Sequence, residues 1–444
     1  MEASLPPPTK GNIRKWMHAA MQQGMLSYVY TYPPKEAYLP FAGGIEECWR
    51  GHAGKMNLYI HFPYCKMKCS YCNLFSHTRF SRAQLTTYAQ ALRSELQLAA
   101  QMFDRGKVTI DSIHLGGGTP SLFDTRDLVS LLDDIHHYFR VSENAEVAIE
   151  VTPTSIDEQS CAELRRAGVS RISIGIQSFN ADELANMRRR RHLNSGQRAM
   201  ELAIDAGFPN INLDFIYGLA GQTLTALLSN LRFAAQYPIP TITLYSLVLR
   251  EGTACGRAAR AGTEQFIDGR EHYRWYDQAV QVLTEMGYQQ LTLVLFARPG
   301  GGNRFEENEF LSIPTLGLGA GSRSYSPTLH YTSDDYYHRR TSSSAIIDQH
   351  LDAVLRQKRI PVRCAAHIDE DERLRRETIL RLLYFRGIDE LEYEAQFGEN
   401  IRQRFAEQLD ILDEADLLQW SSKRLQLNQD GLKYSSLIAR LFYA

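Results

Sequence analysis

The sequence predicts an α/β protein in which short strands alternate with helices and form a largely parallel sheet. From residue 55 onward, short runs of β-branched and aliphatic residues are each followed by a helix-like segment with one apolar face. Six such units in a row favour parallel pairing through right-handed crossovers. The pattern leaves two closures open, a doubly wound sheet or a barrel. In both, the reactive groups belong at the carboxyl ends of the strands.

The individual elements follow from these runs in chain order. The six strands are expected at residues 57–61, 112–116, 146–151, 171–177, 212–217 and 241–248. The helices between them are expected at residues 86–101, 128–139, 160–167, 195–206 and 224–235. Beyond residue 248 the alternation weakens into a helix at 271–286, a strand at 290–296 and a glycine-spaced segment at 316–322.

The composition changes near residue 368 and indicates a separate C-terminal domain. Two charged helices are followed there by two short strands, at 370–385, 400–414, 417–420 and 425–427. The sequence thus predicts four regions, which are an N-terminal extension (1–50), a barrel-sized domain (51–330), a linker region (331–367) and a C-terminal domain (368–444).

Composition and charge exclude several classes of protein. Hydrophobic residues make up 44% and charged residues 23% of the 444 residues, as in globular and not in disordered chains. The 49 Lys and Arg nearly balance the 51 Asp and Glu, so no net charge favours nucleic acid or an acidic membrane as a partner. The apolar run at 242–249 is far shorter than the ~20 residues of a membrane-spanning helix, and residues 1–8 lack the order of a secretory signal. We therefore expect a soluble cytoplasmic protein.

Three of the seven cysteines lie within eight positions, directly after the first predicted strand. In a reducing compartment such crowding favours metal binding over disulfides. The spacing of Cys65, Cys69 and Cys72 lets three thiolates converge on an iron–sulfur cluster. Three ligands leave one iron of a four-iron cluster open to chelate S-adenosylmethionine (SAM), whose cleavage gives a 5′-deoxyadenosyl radical. The alternatives are buried free thiols or a zinc site. Zinc normally takes four ligands, and the candidate fourth ligand, His61, lies on the strand before the loop.

The residues around these cysteines resemble the radical SAM superfamily. Tyr71 precedes the last cysteine, and residues 59–63 match the Tyr-x-His-x-Pro pattern of its HemN-like branch, typified by oxygen-independent coproporphyrinogen III dehydrogenase. The resemblance extends from about residue 55 to the end of the chain. It implies a partial (β/α)6-type TIM barrel with a helical, winged-helix-like HemN domain at the C-terminus. It also implies a [4Fe-4S] cluster on Cys65, Cys69 and Cys72, SAM, and an external electron donor such as flavodoxin or ferredoxin.

The glycine-rich turn at 116–120 is predicted to bind SAM. Serial glycines let backbone N–H groups approach a ligand closely, because no Cβ intervenes. In the family this turn binds the amino group of the methionyl moiety, which implies roles for Gly117, Gly118 and Thr119. The alternative is a plain tight turn.

Polar residues at the ends of three successive predicted strands resemble further SAM contacts. Glu150, Gln177 and Asp214 occupy these positions in otherwise apolar strands. A buried carboxylate is costly unless a partner compensates its charge. Each residue alone could be an ordinary polar group of the core or, for Glu150, an edge charge facing water.

The remaining predicted contacts come from an arginine run and a tyrosine. Bidentate pairing with the SAM carboxylate suits an arginine, and the run at 188–191 offers Arg189 or Arg190, with a solvated helix end as the alternative. Tyr245 resembles the lining of a second SAM site, although a core tyrosine would also fit. The complete set of predicted SAM-binding residues is Tyr59, Tyr71, Gly117, Gly118, Thr119, Glu150, Gln177, Arg189, Asp214 and Tyr245, with Tyr59 and Asp214 expected to be catalytic.

Two departures from the family pattern bear on the reaction. Leu74 stands where most coproporphyrinogen III dehydrogenases have a fourth cysteine, and residues 330–337 lack the Asn and Trp of the His-Asn-x-x-Tyr-Trp element of haem chaperones. Residues 32–38 and 72–75 instead resemble class C radical SAM methyltransferases. This implies methylation or cyclopropanation of an sp2 carbon of a small-molecule or natural-product substrate, with two SAM molecules. The alternatives are coproporphyrinogen III oxidation, anaerobic haem degradation or a haem chaperone.

Overall fold

The computed structural model describes residues 11–22, 32–189, 194–334, 341–421 and 423–443. The strands are β1 (Leu39–Pro40), β2 (Gly54–Phe62), β3 (Val108–Gly117), β4 (Arg140–Val151), β5 (Arg171–Gln177), β6 (Asn210–Tyr217), β7 (Thr241–Ser246), β8 (Gln289–Gln290), β9 (Leu295–Ala297), β10 (Thr315–Leu318), β11 (Arg323–Tyr325), β12 (Leu329–Thr332), β13 (Cys364–His367), β14 (Ile388–Asp389), β15 (Leu418–Trp420) and β16 (Arg424–Leu427).

The helices surround the strands and form most of the C-terminal region. They are α1 (Ile13–Gln22), α2 (Ile45–Cys48), α3 (Arg82–Ala100), α4 (Thr125–Tyr138), α5 (Glu158–Arg166), α6 (Ala181–Asn186), α7 (Ser195–Asp205), α8 (Leu224–Ala235), α9 (Ala254–Ala261), α10 (Gly269–Glu285), α11 (Arg304–Phe310), α12 (Ser343–Leu351), α13 (Glu370–Leu383), α14 (Glu390–Phe397), α15 (Ile401–Arg404), α16 (Ala406–Glu414), α17 (Gln429–Lys433) and α18 (Ser435–Ile438). No helix in the described part of the chain is long and apolar enough to cross a membrane.

One large sheet forms the body of the protein. Strands β2 to β7 pair in parallel in chain order, and β10 pairs in parallel with β2. Antiparallel strands continue the sheet on both sides, β9 and β8 beyond β7, and β11, β12, β13 and β1 beyond β10. Among the described residues the two edges of the parallel part, β10 and β7, are not neighbours, so this part is an open, partial barrel. The predicted fold class is confirmed, and β10 is a further parallel strand from the glycine-spaced segment.

The side chains of the barrel strands alternate between an apolar outer face and a polar inner face. Leu58 packs among the helices in the main hydrophobic core. Its neighbour Tyr59 points the other way, because successive strand residues face opposite sides. The Tyr59 ring stacks on His114 from β3, with centroids 5.8 Å apart. The same period of two places Glu150 of β4 on this inner face. The polar inner face is therefore the place where ligands can be bound.

A polar network fills the amino end of the barrel. The carbonyl of Gly302 accepts hydrogen bonds from Arg171 Nε at 3.0 Å and from Asn210 Nδ2 at 2.9 Å. At the start of α11, Arg304 pairs with Asp111 at 3.0 Å. This pair and neighbouring hydrogen bonds hold the pKa of Asp111 at about 2, although burial alone would raise it. The segment before α11 thus closes one end, and the carboxyl ends of the strands form the other.

The structure corrects the predicted strand at 290–296. The segment contains β8 and β9 with a tight turn between them. The Thr292 hydroxyl accepts hydrogen bonds from the backbone N–H groups of Val294 and Leu295, at 3.2 and 3.1 Å. These bonds use backbone donors that a continuous strand would have given to a neighbouring strand.

The C-terminal region has its own hydrophobic core, built from helices α13 to α18 around a three-stranded sheet in the order β14, β16, β15. The helix predicted at 400–414 is instead divided into α15 and α16 at Phe405, whose φ of −120° is not helical. Trp16 of α1 is buried in this second core. Residues 331–367, which the sequence analysis assigned to a linker region, contain α12 and β13, and β13 pairs with β12 and β1 of the large sheet.

Candidate active site at the carboxyl ends of the strands

The three cysteines of the predicted cluster site lie on the loop that leaves the carboxyl end of β2. Two backbone hydrogen bonds hold the loop, Cys65 N to His77 O at 3.0 Å and Ser70 N to Met187 O at 3.2 Å. All three thiols are free and partly buried. Burial, together with the charges of the other two cysteines, raises the pKa of Cys65 to about 11, although the hydrogen bond from Thr119 lowers it. Three thiolates in this position therefore require a positively charged partner.

The donor set fits an iron–sulfur cluster, since cysteine thiolates are the usual ligands of such clusters. Across the described ranges, no three His, Cys, Asp or Glu side chains, these three cysteines included, are grouped so that they could hold a single metal ion. The loop is braced by Lys68, whose ammonium donates to Leu74 O at 2.6 Å and to Ser76 Oγ at 2.8 Å. Leu74, where a fourth cysteine is absent, is 54% exposed.

Arg189 lies directly beneath the loop and is only 3% exposed. Its guanidinium donates from Nη1 to Tyr71 OH at 3.0 Å and from Nη2 to Gly175 O at 2.7 Å, while its buried Nε has no hydrogen-bond partner. Burial lowers the pKa of Arg189, but the charges of Tyr71, Cys69 and Asp214 outweigh this effect and raise it. The Nε–H of the buried cation is thus left for an anionic ligand group.

The other arginines of the run are placed differently or not described. Arg188 is exposed and has a φ of 62°, a left-handed conformation that turns the chain between it and Arg189. Arg190 and Arg191 lie outside the described residues. Of the two described arginines, only Arg189 enters the interior.

Glu150 is held by two donors at the mouth of the barrel. His114 Nε2 donates to its Oε1 and Gly117 N to its Oε2, both at 3.0 Å. Burial raises the pKa of Glu150, but the hydrogen bond and charge of His114 and the Gly117 N–H lower it below the usual value. Its side chain is still 38% exposed, so the ionised carboxylate remains accessible.

Close packing requires a glycine at position 117 of the glycine-rich turn. Gly117 has a φ of +107°, and a Cβ there would lie 2.5 Å from the His61 ring. The turn was expected to offer its backbone N–H groups to a ligand. Instead Gly117 N donates to Glu150, and Gly118 N donates to Phe62 O at 2.7 Å. Neither N–H is therefore free for a ligand, and the turn acts by positioning the carboxylate of Glu150.

Thr119, at the end of the same turn, reaches the cysteine loop. Its hydroxyl donates to Cys65 Sγ at 3.7 Å. Hydrogen bonds to a thiolate sulfur stabilise its charged form. The turn and the cysteine loop are thus in direct contact.

Gln177 is the last residue of β5, and Asp214 lies within β6. Gln177 is 8% exposed, has a φ of 68°, and its buried Oε1 has no hydrogen-bond partner. Strained backbone of this kind persists where the surroundings fix it and is common at binding sites. Asp214 accepts from Asn212 Nδ2 at 2.7 Å and from Ser173 Oγ at 3.2 Å. Burial and then the charge of Glu150 raise its pKa to about 6.

Tyr59 connects the barrel interior to the cysteine loop through His61. Burial lowers the pKa of His61 to about 4, so its ring is neutral. His61 Nε2 donates to Phe75 O at 3.1 Å, which leaves Nδ1 to accept from Tyr59 OH at 3.0 Å. Tyr245 packs against a small hydrophobic cluster that Tyr71 also touches, so it lies near the loop.

The structure thus brings most predicted residues into one region, and it adds three that the sequence analysis missed. His114 orients Glu150, and Ser173 and Asn212 hold Asp214. Their signal was present in the sequence, because each lies two residues before another inward-facing residue of its strand.

Comparisons with known proteins agree with this geometry. A family model of the radical SAM superfamily matches residues 59–234, and a model of the HemN C-terminal domain matches residues 368–433. The heme chaperone HemW of Escherichia coli is 31% identical over 267 residues, which cover 60% of this chain and 69% of that protein. HemW of Bacillus subtilis is 25% identical over 374 residues, covering 84% of this chain and 95% of its own length.

A solved structure matches nearly the whole chain. Coproporphyrinogen III oxidase (HemN) from Escherichia coli superposes with a TM-score of 0.79 at 22% identity, covering 94% of this chain and 98% of that one. This likeness confirms the fold. With its barrel, its cysteine loop and its C-terminal domain, the chain belongs to the radical SAM superfamily and to the HemN/HemW branch of it.

Proposed function

We propose that this protein is an enzyme that reductively cleaves SAM at a [4Fe-4S] cluster held by Cys65, Cys69 and Cys72, and that it acts on a tetrapyrrole. The observation that supports SAM binding best is the pair of buried polar atoms without partners, Gln177 Oε1 and Arg189 Nε. Unsatisfied buried polar groups are costly, so a ligand with both a donor and an anionic group would stabilise this arrangement.

The residues of the site have distinct roles in this proposal. The cluster, when bound, supplies the electron that cleaves the sulfonium bond of SAM. Glu150 offers an ionised carboxylate to the methionyl amino group. Arg189 offers its free Nε–H to the methionyl carboxylate, and Gln177 offers an acceptor. Asp214 lies deeper in the barrel, where its carboxylate can accept hydrogen bonds from ribose hydroxyl groups.

The region beyond Tyr59 supports a ligand with carboxylates and N–H donors. Arg376 of α13 lies over the Tyr325 ring at 5.5 Å, and the charges of Arg376 and Arg323 both act on Glu309. Burial nevertheless raises the pKa of Glu309 to about 7. A tetrapyrrole carries propionate groups for the cations and pyrrole N–H groups for the acid. The curated relatives named heme chaperone HemW point to the same class of ligand.

Anaerobic reconstitution with iron, sulfide and dithionite tests this proposal. Addition of SAM should yield 5′-deoxyadenosine, measured by liquid chromatography, and coproporphyrinogen III or haem should increase the yield. The variant Arg189→Gln should retain iron but lose most of this activity. Arg166→Gln, on the exposed end of α5, is the matched control and should behave like the wild type. A wild type that binds haem but never forms 5′-deoxyadenosine would be a chaperone and would contradict the proposal.

Methyl transfer from a second SAM molecule is a second candidate. It is favoured by the segment Cys72-Asn73-Leu74-Phe75, in which Leu74 replaces a fourth cysteine. The curated relatives give it no support. Incubation with SAM labelled in its methyl group distinguishes the two candidates. Label in the organic product together with S-adenosylhomocysteine supports methylation, whereas unlabelled product and CO2 release support oxidation of coproporphyrinogen III.

A further inference from the structure

A charged groove lies on the outer side of the cysteine loop. It has a volume of about 360 Å3, and its lining includes Ser70, Arg188, Arg257 and Glu264. The small side chains on one face of α9 form its wall and leave the groove open. Ser70 is the residue directly after the predicted cluster ligand Cys69.

The groove and the loop are firmly joined. Ser70 Oγ donates to Asn186 O at 3.3 Å, and Cys255 N, in the first turn of α9, donates to Ser70 O at 2.9 Å. The buried Cys255 thiol donates to Ser70 Oγ at 3.1 Å. The charges of Arg188 and Glu264 both act on this thiol, so both groups lie near it. A partner seated in the groove would therefore contact the segment that carries the cluster.

The charge of this surface is positive. Arg188 and Arg257 are exposed, and among the described residues neither forms an ion pair, while Glu264 is the single acid of the lining. The cysteine loop adds two exposed cations, Lys66 and Lys68. The chain as a whole has a formal net charge of −2, so the positive charge of this face is not a property of the whole chain. Local charge of one sign attracts partners of the opposite sign and speeds their encounter.

We propose that this groove is the docking surface for an acidic one-electron donor protein of the flavodoxin kind. The inference depends on the proposed function, since it assumes that a cluster on the cysteine loop must be reduced. In the docked complex the donor loses one electron and the cluster gains it, and no bond is formed or broken. Interfaces of this type are small and depend strongly on salt.

The test combines binding and turnover with the cluster-loaded protein. The double variant Arg188→Glu/Arg257→Glu reverses the groove charge, and Arg140→Glu/Arg166→Glu, at the amino end of the barrel, is the matched control. We expect the groove variant to bind reduced flavodoxin at least tenfold more weakly at low salt in titration calorimetry, about the lower end of known electrostatic effects. The control should bind like the wild type, and the difference should vanish at high salt.

Turnover separates this inference from the proposed function. With flavodoxin as reductant, the groove variant should form 5′-deoxyadenosine about tenfold more slowly, whereas with dithionite it should match the wild type. If dithionite gives no product with any variant, the proposed function fails, and the binding measurement still judges the groove. Equal flavodoxin affinity of wild type and groove variant would overturn the inference. The inference would also be overturned if the groove bound inorganic phosphate while reversal of the groove charge left flavodoxin binding unchanged.

Discussion

The carboxyl group of Asp214 makes the stability of this protein depend on pH, and Asp214→Asn should remove that dependence. Burial, followed by the charge of Glu150, raises its pKa from 3.8 to about 6. The folded chain thus binds this proton more tightly than the unfolded chain. The resulting stabilisation is complete below the unfolded pKa and is lost as the pH rises through the folded one. The difference between the two pKa values corresponds to ~3 kcal/mol, which partial solvent access reduces to about 2 kcal/mol.

Urea denaturation of wild type and variant between pH ~5 and pH ~8 measures this effect. The asparagine of the variant cannot ionise, so its free energy of unfolding should rise by about 1 kcal/mol relative to the wild type across this range, because roughly half of the full effect lies above pH ~5. The variant also lacks one carboxylate oxygen as an acceptor for Asn212. This loss changes the free energy of unfolding by the same amount at both ends of the pH range. Asp182→Asn, on the exposed surface of α6, is the control and should follow the wild type. A difference between variant and wild type that stays constant with pH would refute the reasoning.

Three further predictions concern the site itself. Cys65→Ala should abolish iron binding and the absorbance near ~400 nm while circular dichroism stays unchanged, and full iron content would rule Cys65 out as a ligand. Gly117→Ala should lower the melting temperature and disturb Glu150, because its Cβ would meet the His61 ring at 2.5 Å in a left-handed conformation. Gly168→Ala, which has a similar φ but open space, is its control, and equal losses in both would exclude the clash. Arg189→Lys should weaken SAM binding by about 1–3 kcal/mol, since lysine cannot reproduce the bonds to Tyr71 and Gly175. Unchanged affinity in calorimetry would place the SAM carboxylate elsewhere.

The barrel was predictable because its strands carry a strong local pattern. Each parallel strand is apolar on its outer face and is followed by an amphipathic helix, and both signals survive in a single sequence. The four-residue strand β10 had no such pattern, because its Gly317 is selected by the approach of Arg323 O, which would lie 2.1 Å from a Cβ. Contacts between distant parts of the chain are not encoded in local periodicity.

For the site, the sequence predicted the positions of several residues along the chain and not the contacts between them. Chain order and motif spacing placed the cysteines and Glu150 at strand ends. They could not show that Gly117 gives its N–H to Glu150, since that bond depends on the packing of two strands. The choice between consecutive arginines was also beyond the sequence, because motif spacing does not encode the left-handed φ of Arg188, at which the chain turns.

The burial of α1 in the C-terminal core has a consequence for biosynthesis. Trp16 is among the first described residues to leave the ribosome, yet it packs among helices α13 to α18, and Gly11 N donates to Glu414 Oε2 at 3.0 Å. The nascent helix must therefore remain without its native partners while the entire barrel is translated. During this interval its apolar face is open to chaperones, so we expect trigger-factor-type holdases to associate with the early chain.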